Sequence, residues 1–421
     1  MAEWRNWSGS VVAQPERIER PKTEAALSQI VTEAKRVRVA GTGHSFMPLC
    51  ETDGVLLSLA DMDGGLEVTP GRESVWAPAG MAIGELTAHL WAEGLSLANQ
   101  GDIDKQAIAG ALSTATHGTG RTLGALSTFA RGFRLVTADG SVVECDETRE
   151  ADLFQAQRVS LGAFGVMTRV ELSVLPAYRL RETLRRAPLA ELLGSWDELA
   201  SGHRHVEFFV FPYADEALLK ILEPVEEGDD QPGVDIESGA MQLMCDLARL
   251  FPGLAPGLQR LITKAMSPSV RAAPAYRIFP SERPTKFEEM EYEIPAERGA
   301  DALRAAIAEV RGRKLPIIFP FEYRTVAADD IWLSPMNGRD CISISFHQYA
   351  KMAWREAFAT IEAVFAAHGG RPHWAKRHTL GPDDVLRLYP QAARWGEVRK
   401  QWDPEAKFLN AHLRDLFAFS L

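Results

Sequence analysis

The chain has 421 residues, 46% of them apolar and 24% charged, with a net charge of −11. Its length predicts about two domains, and its acidic balance argues against nucleic acid or an anionic membrane surface as the main partner. Cys50, Cys145, Cys245 and Cys341 form no CxxC pair or other metal spacing, so four reduced thiols and no metal are expected. The opening MAEWRNWSGS lacks a basic-then-apolar signal pattern, and no apolar run reaches the roughly 18 residues that a membrane span needs. A soluble, cytoplasmic protein is the expectation.

Residues 1–177 alternate short apolar runs with glycine-rich turns. RVRVAG (36–41) and GVLLSLADMDGG (54–65) read as strands closed by glycine, and 75–95 reads as a strand followed by a helix that stops at Gly94. FRLVTADGSVVEC (133–145) predicts a hairpin around Asp139-Gly140, and 159–175 a glycine turn feeding a long strand. After residue 178 the texture changes. HVEFFVFPY (205–213), FEEMEYEIP (287–295), LPIIFPFEYRTV (315–326) and CISISFHQY (341–349) read as strands. MQLMCDLARLF (241–251), 296–313 and 353–370 read as helices, in a stretch where 225–275 is richer in Pro, Gly and acidic residues. These predict an α+β chain whose second part is an antiparallel sheet backed by helices. The tail after residue 378 reads as helical.

Four segments could carry chemistry. GTGHSF (41–46) offers backbone amides that can approach an anion closely, with His44 inside the turn. It is neither a dinucleotide GxGxxG nor a P-loop, and on six residues alone a histidine that caps a turn is the commoner explanation. AIAGALSTATHGTGRTLG (107–124) is small and hydroxylated, suited to a diphosphate or a flat ring edge but also to an ordinary packed loop. In FEYRTV (321–326), Glu322 and Arg324 alternate by two and share a strand face, as a structural ion pair also would. Ser345 and His347 do the same in CISISFHQY, and RPHWAKRH (371–378) sets His373 and Lys376 beside Trp374.

In this order, the four segments resemble the vanillyl-alcohol-oxidase family of flavoproteins, in its branch of sugar-acid 1,4-lactone oxidoreductases and alditol oxidases. The resemblance runs from NWSG (6–9) to DPEAKFLNAHLR (403–414). It implies a two-domain fold, with an FAD-binding domain over 1–177, a substrate-binding cap over 178–377 and a return of 378–421 to the first domain. It implies FAD bonded covalently to His44. Further cofactor contacts are implied at Gly41, Thr42, Gly43, Ser45, Phe46, Gly101, Ala107, Gly110, Ser113, Thr114, His117, Gly118, Gly162, Gly165, Val166 and His373. Glu322, Arg324, His347 and Lys376 are the implied catalytic and substrate-binding set, with Lys376 the first choice for stabilising charge on the reduced flavin. Asp102 stands where the alditol type places a small serine, which favours a lactone such as L-gulono-1,4-lactone over xylitol or sorbitol. Gly101 leaves room for oxygen near the flavin, although a protein or dye acceptor stays open. A non-catalytic FAD or sugar binder would not need all four polar residues.

Overall fold

The computed structural model describes residues 2–228, 230 and 239–421. After a short antiparallel pairing of Trp4–Arg5 with Val12–Ala13, the chain forms a small parallel sheet of β1 (Arg17–Glu19), β2 (Val37–Val39) and β3 (Val55–Leu57), with β3 in the centre. Helix α1 (Glu24–Glu33) links β1 to β2 and starts where the Thr23 hydroxyl accepts from the Ala26 amide. A second sheet is antiparallel: β4 (Ser74–Pro78), β5 (Ala130–Val136), β6 (Val142–Asp146) and β7 (Val166–Ser173), in the order β6-β5-β7-β4. The hairpin predicted around Asp139-Gly140 is β5–β6, with Gly140 at φ +85°. Helices α2 (Ile83–Ala92) and α3 (Ile108–Ser113) pack on this sheet through Ile83, Leu86, Leu90, Ala111 and Leu112. The tail packs into the same core through Trp395, Leu413 and Phe417.

The second sheet system is one large antiparallel sheet. Its main strands are β8 (Arg179–Pro188), β9 (His205–Val210), β10 (Glu216–Val225), β11 (Ser269–Pro274), β12 (Phe287–Pro295), β13 (Phe321–Val326) and β14 (Cys341–Tyr349). They run in the order β11-β8-β10-β9-β13-β14-β12, with Arg371–Pro372 pairing at the far edge. The predicted strand over 315–326 is confined to Phe321–Val326, because Pro316 and Pro320 supply no amide to a ladder. The strands β8 and β10, a ten-residue antiparallel pair, went unpredicted because their arginines and lysine hide the alternation.

The period of two divides this sheet into two unlike faces. Met290, Tyr292, Ile294, Phe321, Tyr323, Ile344 and Phe346 point one way. They pack on helices α6 and α7, which follow α4 (Gly239–Leu250) and α5 (Ala255–Ala265) and span Gly299–Gly312 and Arg355–Ala367. Leu303, Ala306, Ile307 and Val310 supply the α6 stripe; Phe358, Ile361 and Phe365 supply that of α7. The opposite face carries the charges: Glu289, Glu291 and Glu293 on β12, Glu322 and Arg324 on β13, His347 on β14, Glu207 on β9 and Lys220 on β10, all buried. The register sets Glu289 beside His347, Glu291 beside Ser345, and Arg324 between Glu207 and Ser343.

Candidate active site

A cavity of about 320 Å³ lies between the parallel sheet, α3 and the turn before β7. Gly41, Thr42, Gly43, His44, Ser45, Ala107, Gly110, Ser113, Thr114, Gly162 and Gly165 line it. Its walls need glycine. A Cβ on Gly41 would meet the Ala107 Cβ at 3.0 Å, and Gly165, at φ +151°, would set one 2.6 Å from the Val136 carbonyl. No Cβ on Gly110 would meet anything within 4 Å, so that backbone opens onto free space. The buried Arg38 guanidinium holds the floor together. It donates to the carbonyls of Leu49 (2.7 Å), Leu161 (2.8 Å), Gly162 (3.0 Å) and Phe408 (2.5 Å), joining segments far apart in the chain. His44 stacks on Trp7 with ring centroids 5.7 Å apart. Burial, with the nearby Lys376 charge, lowers its imidazole to about 4, so it is neutral at neutral pH. A cavity walled by glycine turns and small side chains lets a ligand come close to the backbone amides, which suits the phosphates of a dinucleotide.

A second, smaller chamber of about 60 Å³ adjoins it. Gly101, Asp102, His117, Glu322, Arg324, His347, His373 and Lys376 line this one, and Gln106 lines both. Of the residues expected to bind cofactor or substrate or to act in catalysis, Phe46, Gly118 and Val166 line neither chamber, and neither does Ser345 beside them in the sequence reading. Phe46 packs against Trp7 and Phe287 and lies beneath the Lys376 ammonium, 5.4 Å away. Gly118 presses on Asn99 and Gln100, and Val166 is in the core with Leu57 and Val136.

The small chamber is a charge network. Glu291 is its hub: Oε1 accepts from Arg324 Nη2 (2.7 Å), from the Ser343 hydroxyl (2.7 Å) and from His117 Nε2 (3.0 Å), and Oε2 lies 3.8 Å from Lys376 Nζ. Burial opposes its charge, but Arg324, His117 and Lys376 together hold the carboxyl well below the usual range. His117 is also 3.2 Å from Glu293, while its Nδ1 meets the Gly118 carbonyl at 2.8 Å. Both ring nitrogens thus face acceptors. Against the effect of burial, the two glutamates raise the imidazole to about 10, which makes it a cation at neutral pH. Lys376 pairs with Glu289, whose carboxyl is lowered to about 2 because Lys376 and His347 outweigh burial. Arg324 also lies 3.4 Å from Glu322. Buried His373 stays neutral, lowered to about 3, and its Nδ1 accepts from the Ala375 amide.

Sequence reasoning missed several members of this network, Ser343 among them. Glu289, Glu291 and Glu293 were legible as an alternating set on a strand whose other face is Met290, Tyr292 and Ile294. Arg283, from the loop before β12, bridges Asp102 (3.3 Å) and Glu322 (3.2 Å), and no local pattern announces it.

The D-arabinono-1,4-lactone oxidase family matches residues 170–416, and an FAD binding domain matches residues 15–146. The chain belongs to the D-arabinono-1,4-lactone oxidase family. It is 41% identical to L-gulono-1,4-lactone dehydrogenase of Mycobacterium tuberculosis over 98% of both chains. It is 29% identical to the L-gulonolactone oxidase of Bos taurus, over 99% of this chain and 98% of that one. Alditol oxidase from a Streptomyces species is 31% identical over 98% of both. Among solved structures, cholesterol oxidase of Brevibacterium sterolicum superposes with a TM-score of 0.86 at 16% identity, covering 99% of this chain and 96% of that one. This family member therefore has the vanillyl-alcohol-oxidase-type fold and is an FAD-dependent oxidoreductase.

Proposed function

We propose that the protein oxidises a secondary hydroxyl of a sugar-acid 1,4-lactone, such as L-gulono-1,4-lactone, using FAD bonded covalently to His44. The carrying observation is the shared wall between the two chambers: Gln106 lines both, and the consecutive residues Ala375 and Lys376 line one each. In this reading residues 1–177 and 378–421 form the FAD-binding domain and 178–377 the cap. FAD would be held by 41–45, 107–114 and 162–165, and when bound it supplies the hydride acceptor.

His347 takes the hydroxyl proton. Its Nε2 lies 3.3 Å from the Glu289 carboxylate, which keeps the ring proton on that nitrogen and leaves Nδ1 as the acceptor. Among the described residues, buried Nδ1 has no hydrogen-bond partner. Arg324 Nε is likewise a buried donor without a partner, and serves to orient a substrate oxygen together with Glu322. Lys376 and Arg324 supply positive potential next to the reacting edge. The electrons pass on to oxygen, giving hydrogen peroxide, or to a protein or dye acceptor, in the cytoplasm. Gly101 in the chamber wall favours oxygen.

The 31% identity with alditol oxidase supports a second reading, oxidation of an alditol at C1. Asp102 weighs against it: a half-buried carboxylate held ionised by Lys220, Arg283 and Arg324 occupies the wall where a small serine would suit an alditol. Anaerobic mixing with L-gulono-1,4-lactone and, separately, xylitol decides between them. Bleaching of the flavin by the lactone alone supports the proposal; bleaching by xylitol alone replaces it. Flavin released from the denatured protein would refute the tether to His44.

A further inference from the structure

A third cavity, of about 410 Å³, adjoins the small chamber on its far side from the glycine-walled one. Among the described residues, Asp102, Arg283, Glu322 and His347 line both the chamber and this cavity, so the two spaces meet at those side chains. The chamber itself, at about 60 Å³, has room for about five waters, fewer than the atoms of a sugar-acid lactone. A substrate whose hydroxyl reaches His347 therefore continues into the larger cavity. Arg277, Ser281 and Glu282 line that cavity and are exposed, which puts its mouth at the segment between β11 and β12.

Between mouth and chamber the walls are apolar. The charged face of the large sheet changes character here: the ladder sets Phe209 of β9 beside Glu322 of β13, and Leu218 of β10 beside Phe209. Phe279 and Phe319 add aromatic wall, with Met241 of α4 and Met266, which directly follows α5. Charged groups along the cavity are engaged with one another: Lys220 with Glu207 (2.8 Å), Arg271 with Glu182 (2.7 Å), and Arg283 with Asp102 (3.3 Å) and Glu322 (3.2 Å). A hydroxyl laid against the apolar walls would give up water for no partner. An aryl or acyl group would gain by leaving water, and the two thioethers can adapt to its outline. We propose that this cavity is a second subsite, which takes an apolar substituent carried on the end of the substrate away from the oxidised carbon. The inference rests on the proposed oxidation of a sugar-derived hydroxyl and narrows its substrate class to a lactone or polyol bearing an aryl or acyl group. Phe209 and Met266, both half-buried, are the residues that select for that group.

The test is anaerobic reduction of the flavin-loaded protein by L-gulono-1,4-lactone and by the same lactone carrying a benzyl ether on its terminal hydroxyl. The benzyl ether should show a kcat/KM about tenfold higher or more. Phe209→Ser and Met266→Ser, made separately, should each remove most of that advantage, read as the ratio between the two substrates so that a general loss of activity cancels. An equal or lower kcat/KM for the benzyl ether overturns the proposal, and so does an advantage that both variants retain. If neither compound reduces the flavin, the proposed oxidation fails by itself and titration calorimetry decides the subsite. Binding of the benzyl ether that both variants weaken supports it; no binding, or equal binding by wild type and variants, overturns it.

Discussion

Glu291→Gln isolates the charge at the hub of the network. Three donors converge on Oε1, and a glutamine carbonyl in that place keeps all three hydrogen bonds. The amide nitrogen then replaces Oε2, 3.8 Å from Lys376 Nζ. What disappears is one buried negative charge facing the Arg324, His117 and Lys376 cations. Removing one side of such a buried set costs about 3 to 5 kcal/mol, because the remaining cations stay desolvated without compensation. At about 2 °C per kcal/mol for a chain this long, the melting temperature should fall by about 6 to 10 °C. Differential scanning fluorimetry of the flavin-loaded protein measures it. Arg324 should also lose its fixed position, so turnover should drop while flavin content is retained. A melting temperature within a degree of wild type, with unaltered turnover, would refute the assignment of Glu291 as the hub.

His347→Gln should lower kcat by about 10² to 10⁴ with little change in KM, and stopped-flow anaerobic reduction would show it; an effect under twofold removes His347 as the base. His117 links stability to alkaline pH. Its folded value of about 10 stands above the ordinary 6.5, so its contribution is complete below 6.5 and is lost as pH rises through 10. Thermal melts across that range should fall more steeply for wild type than for His117→Asn, and parallel curves would contradict the cationic assignment. Asp102→Ser should raise the turnover of xylitol relative to the lactone, read as the ratio of kcat/KM values; an unchanged ratio means Asp102 does not select substrate.

Much of this site could be read in the sequence because period and spacing are local properties. Glu322 and Arg324, two apart on a strand, had to share a face, and they share the charged one. The glycine turns at 41–43 and 162–165 were legible for the same reason, and they wall one cavity. Partners across the sheet were not legible, since strand order is set by the whole fold. Nothing local places Glu291 of β12 against Arg324 of β13 with β14 lying between them. The loop that brings Arg283 onto Asp102, 181 positions away, is still less visible. The alternation of Glu289, Glu291 and Glu293 was present in the sequence. A strand with one wholly apolar face leads one to expect the other in water, whereas here it is buried.

The Arg38 guanidinium bears on when during synthesis the cofactor can be taken up. It completes the cavity floor by donating to the carbonyl of Phe408, 370 positions further along the chain. Residues 38, 49 and 161–162 leave the ribosome long before residue 408 does. A nascent chain therefore carries the glycine turns of the cavity over an unfinished floor, with an arginine that still lacks one of its acceptors. If this cavity holds the cofactor as proposed, its floor is complete only once residue 408 has been made, and removing the segment that carries Phe408 should surface first as protein that is folded in part, colourless and unable to retain flavin.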